Sequence, residues 1–100
     1  MMAYAYFIEK SSALIHRLLI GKGTAKQRLL ENEVEVMWVL HLDIPDNLNY
    51  LRKKILIALS KKPQLGDKMS SFRHTLIYMH NSTASKIIDN IYSIYLGTKY

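Results

Sequence analysis

The stretch Glu33 to Ile44, EVEVMWVLHLDI, constrains the fold more than any other part of this chain. Val34, Val36, Met37, Trp38, Val39, Leu40, Leu42 and Ile44 are apolar, and only Glu33, Glu35, His41 and Asp43 interrupt them. A surface helix shows one apolar stripe, whereas apolar residues all the way round imply an element covered on every side. The stretch also holds the single tryptophan, so it is expected to form the centre of the core. Two backbones suit the pattern. The even positions Val34, Val36, Trp38, Leu40, Leu42 and Ile44 are all apolar, the alternation of a half-buried strand. Leu29, Leu30, Glu33, Val34, Met37, Leu40, His41 and Ile44 also recur at the three- and four-residue steps of a helix. The upstream residues arbitrate. Thr24-Ala25-Lys26-Gln27 has the form of a capping box, in which the Thr hydroxyl and the Gln side chain satisfy orphan backbone donors. Nothing between Thr24 and Asp43 is Gly or Pro, so a helix begun at Ala25 is expected to run to about Leu42. The expected fold class is all-α, a compact bundle of four to five short helices in which residues 1–100 form a single helical domain. The alternative is α+β, with residues 33–44 as a strand paired to residues 3–8 or 73–80.

The other elements follow from periodicity and punctuation. A first helix is predicted from about Tyr4 to Ile20, with Phe7, Ala13 (or Leu14) and Leu18, together with Ile8, Ile15 and Leu19, making apolar contacts at helical steps, or else a shorter one capped at Ser11 and Ser12 after an extended arm. Gly21-Lys22-Gly23 then makes a turn, since neither its spacing nor its context is that of a phosphate loop. Pro45 opens a helix over about Asp46 to Ser60, with Leu48, Leu51, Ile55 and Leu59 on one face, and Pro63 ends it. A further helix over about Asp67 to His80 turns Met69, Phe72, Leu76 and Met79 (or Tyr78) inward. The last, Ala84 to Leu96, carries Ala84, Ile87, Ile88, Ile91, Ile94 and Tyr95 on one face and is closed by Gly97.

Size and charge limit what such a chain can do. Residues 1–30 hold five Lys/Arg against Glu9, residues 31–46 hold five carboxylates and no basic residue, and residues 47–100 hold nine Lys/Arg against Asp67 and Asp89. An acidic band between basic segments suits head-to-tail or reciprocal self-association as readily as an acidic partner. The absence of cysteine excludes disulfides and thiolate metal sites. No apolar run is long enough for a bilayer, and the opening MMAYAYFIEK lacks a secretory leader, so no membrane partner and a cytoplasmic location are expected.

Catalytic constellations are sparse. The serines show no nucleophile elbow, and no paired carboxylates stand near a histidine. His74 and His80 are about 1.7 helical turns apart, poor spacing for joint ligation, so neither metal nor cofactor is expected. His41, on the apolar central stretch, reads as a core histidine with a hydrogen-bond partner. Arg73 with His80 is the one pair with a chemical logic, because on a continuous helix they would stand almost two turns apart on one face. The string Arg73-His74-x5-His80 resembles the R-x4–6-H motif of HEPN-domain ribonucleases, small helical bundles that often work as dimers. The resemblance covers eight residues. It implies His80 as acid or base and Arg73 as the group that stabilises phosphate charge.

Binding is therefore the leading expectation and catalysis the alternative. Small size, segregated charge and seven tyrosines point to a non-enzymatic regulatory or accessory protein acting through protein–protein contacts, as a homodimer. Tyr4, Tyr6, Tyr50, Tyr92 and Tyr100 are the aromatic candidates for that surface. The second alternative is a basic nucleic-acid-binding module. Its residues would be Arg52, Lys53, Lys54, Lys61, Lys62, Lys68, Arg73 and Lys86, with Tyr50, Tyr78 and Tyr92 interleaved.

Overall fold

A computed structural model describes residues 4–100 and shows six α-helices and one 3-10 turn among them. They run α1 (Ala5–Ile20), α2 (Ala25–Glu31), α3 (Glu33–Val39), a 3-10 turn at Asp46–Leu48, α4 (Asn49–Ala58), α5 (Ser71–Tyr78) and α6 (Asn81–Lys99). The all-α expectation holds, with more and shorter helices than the four or five anticipated. The strand alternative fails: the only β feature among the described residues is an isolated bridge between Leu65 and Met69. The capping box forms as its sequence requires. Thr24 Oγ1 accepts from the Gln27 amide at 3.2 Å, while Gln27 Oε1 accepts from the Thr24 amide at 2.9 Å.

The helix begun there does not run unbroken to Leu42. Asn32 interrupts it with φ −112° and ψ 24°. Its side-chain Nδ2 donates to the Arg28 carbonyl at 2.8 Å, while its backbone amide reaches the same oxygen at a long 3.3 Å. That competition between side chain and backbone for one acceptor is a recognised way for Asn to disturb a helix. α3 then closes early, because the His41 and Leu42 amides turn to the carbonyls of Trp38 and Val39, three residues back. The other boundary shifts have equally local causes. Ser70 Oγ accepts from the Arg73 amide at 3.1 Å and starts α5 four residues later than predicted. Met69 is consequently in the turn, half-buried rather than in the core. α6 begins three residues early and passes through Gly97, where a Cβ would stand 3.0 Å from the Leu48 side chain. This glycine serves close packing, not termination.

α6 is the element around which the others gather. It packs against α1, α2, α4 and the 3-10 turn, and contributes Ala84, Ile87, Ile88, Ile91 and Ile94 to one buried cluster. Around it lie Phe7, Leu14, Ile15 and Leu18 of α1, Leu29 of α2, Val36 and Val39 of α3, Ile55 of α4, and Phe72 and Leu76 of α5. The expected centre, residues 33–44, is instead a flank. Val36, Val39, Leu40 and Ile44 are buried, but Val34 is 76% and Trp38 47% exposed. His41 is exposed as well, with Nδ1–H donating to the Met37 carbonyl at 2.6 Å, so it is no core histidine. Among the described residues no helix is long and apolar enough to cross a membrane.

Candidate protein interface

Packing of α3 on α1 places an aromatic and cationic cluster on the outside of the bundle. On α1 the residues Tyr6, Lys10, Ala13 and Arg17 follow one another at helical steps, in a row flanking the buried stripe of Leu14 and Leu18. On α3, Val34 and Trp38 are four residues apart and share a face. The Tyr6 and Trp38 rings meet edge to face with centroids 5.9 Å apart. Lys10 Nζ stands 5.5 Å from both ring centroids, within the range of a cation–π attraction. Arg17 and Glu35 close the far end of the cluster at 3.7 Å. Between the helices runs a groove of about 220 Å³ lined by Lys10, Ala13, Leu14, Arg17, Glu35, Trp38 and Val39. The arrangement holds a large aromatic half in solvent, with charges of both signs at its edge.

No family model, curated protein or solved structure matches the chain.

The residues singled out from the sequence are dispersed. Arg73 and His80 do not share a helix face, because α5 stops at Tyr78 and His80 follows in extended backbone (φ −76°, ψ 149°) before α6. Arg73 Nη1 donates to Glu33 Oε1 at 3.0 Å and faces α3, whereas His80 lines a different cleft. The cause lies 51 and 53 residues away: Lys26 Nζ donates to the carbonyls of Ile77 at 2.7 Å and Met79 at 3.2 Å, and its backbone amide to Asn81 Oδ1. That clamp holds the α5–α6 link extended. Arg52 is not a free surface cation either, since it donates to the Leu42 carbonyl at 2.7 Å and to Asn49 Oδ1 at 2.6 Å. Lys53, Lys54, Lys61, Lys62 and Lys68 are exposed, as are Tyr50 and Tyr92, and Tyr92 stacks on Tyr95 with centroids 6.3 Å apart.

The acidic band is answered in part within the chain. Glu33 pairs with Arg73 and Glu35 with Arg17, so two of its carboxylates already face cations from the flanking basic segments. Exposed pairs of this kind add only about 0–1 kcal/mol each, and Glu31, Asp43 and Asp46 enter no ion pair among the described residues. Trp38, Lys10, Arg17, Val34 and Glu35 form a surface that the sequence pattern does not announce. A signal for it exists: once residues 33–39 are helical, an apolar residue at every second position cannot bury them all. Among the described residues there is no group of three or more His, Asp or Glu side chains arranged to hold a metal.

Two groups near the C-terminal end of α6 titrate away from their ordinary values. Lys99 Nζ donates to Tyr95 Oη at 3.2 Å, and this bond, with a further one from Ser12, draws the phenol below its usual value. The same contact holds the Lys99 ammonium above its own, with Tyr100 adding to it. Stabilising the phenolate lowers the pH of half-ionisation. In an ultraviolet titration Tyr95 is therefore expected to ionise ahead of an ordinary tyrosine, and Lys99→Met to move it back upward. An unchanged titration in Lys99→Met would remove the assigned cause.

Proposed function

We propose that this chain is a small regulatory or accessory protein that acts by binding, and that it pairs with a second copy of itself through the α1–α3 face. The observation that carries the reading is Trp38, the only tryptophan, 47% exposed and propped edge-on against Tyr6 under Lys10. Tryptophan, tyrosine and arginine are the residues most enriched where interface energy concentrates, and here they stand together beside the nearly bare Val34. Leaving such a ring half in water forfeits apolar burial at about 25 cal/mol per Å². A covering partner recovers it.

A second copy is favoured because a two-fold interface must be complementary to itself. This patch offers aromatic faces and the ammonium that suits them, a guanidinium and a carboxylate, and a groove with room for a large side chain beside the Trp38 that could fill it from the other protomer. Sedimentation velocity over a concentration series tests the proposal. The wild type is expected to dimerise reversibly, and Trp38→Ala to weaken the dimer by at least about 30-fold, the effect of a hot spot of 2 kcal/mol or more. Val34→Asp, at the margin of the same patch, is expected to weaken it as well. A wild type that sediments as a monomer throughout, or a Trp38→Ala protein that dimerises unchanged, overturns the reading.

A further inference from the structure

A second cleft, of different chemistry and about 160 Å³, lies where the end of α4, the end of α5 and the first turn of α6 meet. Ala58, Thr75 and Met79 make an apolar floor with one hydroxyl, and Tyr78 forms a wall. Lys61, Lys62, His80 and Thr83 stand round the opening, and no carboxylate of the described residues lines it. The walls are fixed from within. The Lys62 amide donates to Thr75 Oγ1 at 2.9 Å, Ser71 Oγ donates to the Lys62 carbonyl, and His74 Nδ1–H donates to the Pro63 carbonyl at 2.7 Å. His74 meets Tyr78 edge to face at 5.5 Å, and Lys62 Nζ lies 5.3 Å from the Tyr78 ring centroid. Tyr78 is nevertheless 68% exposed, so a held aromatic side chain stands largely open to solvent.

Charge continues beyond the cleft. The ends of the helices show that α4 and α6 run antiparallel, since Ala58 meets Thr83 at one end and Leu48 meets Gly97 at the other. Lys54 stands one turn before Ala58 on α4, and Lys86 one turn after Thr83 on α6, so both extend the rim along this groove. The ion pairs among the described residues involve Lys10, Arg17 and Arg73, and none engages Lys54, Lys61, Lys62 or Lys86. An apolar slot walled by an aromatic ring and bordered by unneutralised lysines matches the two demands of an unpaired nucleotide. Its base needs a stacking surface and its phosphates need cations. The cleft holds about five waters' worth of liquid volume, more than a lone oxyanion requires. In a duplex the bases are already stacked and could not enter. An acidic peptide would use the lysines and leave the ring and floor unused.

We infer that this cleft takes one unstacked base of a single-stranded nucleic acid against Tyr78, with the neighbouring phosphates on Lys61, Lys62, Lys54 and Lys86. Fluorescence anisotropy tests it with labelled oligothymidylate and oligouridylate, a duplex of the same length, and unlabelled polyglutamate as competitor. Single strands are expected to bind more tightly than duplex, and the two single-stranded probes show whether DNA or RNA is preferred. Tyr78→Ala is expected to weaken binding about 5- to 150-fold, the worth of one stacked base, with the salt dependence unchanged. Tyr78→Phe, which keeps the ring and the fold, is expected to retain affinity. Replacing Lys61 and Lys62 by Gln is expected to flatten the plot of log affinity against log salt by about 0.7 for each phosphate no longer neutralised. Absence of binding at low salt, equal affinity for duplex, indifference to Tyr78→Ala, or displacement by polyglutamate as readily as by oligonucleotide each overturns the inference. Trp38→Ala, on the α1–α3 face, is expected to bind the oligonucleotides normally, so failure of the self-association reading and failure of this one are separately visible.

Discussion

Val36→Asp is expected to abolish the cooperative fold, while Val34→Asp, two residues away, leaves it nearly intact. The two valines are identical side chains in one short helix, yet Val36 is 0% and Val34 76% exposed. At 3.6 residues per turn they point about 200° apart, so one meets the core and the other meets water. A carboxylate at 36 would be buried without a cation or a donor set, a penalty of several kcal/mol after relaxation. A domain of this size has only about 5–15 kcal/mol of stability in total. At 34 the same carboxylate lies in the first turn of α3, where the helix dipole favours it, and the net change is expected within about 0.5 kcal/mol. Urea denaturation followed by circular dichroism reads both. Equal loss in the two variants is what a strand would give, because positions 34 and 36 would then share a face, and that result would sink the helical assignment of α3.

How far the sequence can be read depends on whether the deciding contact is local. The capping box at Thr24, the amphipathic face of α6 and the turn at Gly21 are set within a few residues, and all are legible. The break at Asn32 is local too, but it turns on which of two donors wins the Arg28 carbonyl, a difference no pattern of apolar residues records. The place of His80 is hidden because the clamp that ends α5 comes from Lys26, in another helix. Arg52 reads as surface charge because its acceptor, the Leu42 carbonyl, is ten residues back and across a turn. The Trp38 surface is masked by a prior about tryptophan itself. The largest apolar side chain in a chain is reasonably sent inward, and interface residues are the exceptions to that rule.

Damage should be greatest at α6, where the elements converge. Ile91 is 1% exposed and sits with Phe7 of α1, Val39 of α3 and Ile94 round a residual void of only about 10 Å³. Ile91→Ala removes three carbons from a site where several elements meet, so neighbours cannot all move in to fill it, and the loss is expected at about 2–5 kcal/mol. Ile91→Val, which removes one carbon, is expected to lose about 0.5–1.5 kcal/mol. Trp38→Ala deletes a far larger side chain. It nonetheless surrenders only a partly buried surface and one edge-to-face pair with Tyr6, an expected loss of roughly 1–2 kcal/mol for the monomer. The order runs against side-chain size, and it follows from α6 rather than α3 being the helix that the rest enclose. Urea midpoints measured at concentrations too low for self-association give the ranking directly. Should Trp38→Ala prove more damaging than Ile91→Ala under those conditions, the tryptophan is a core residue after all, and a surface built upon it has no foundation.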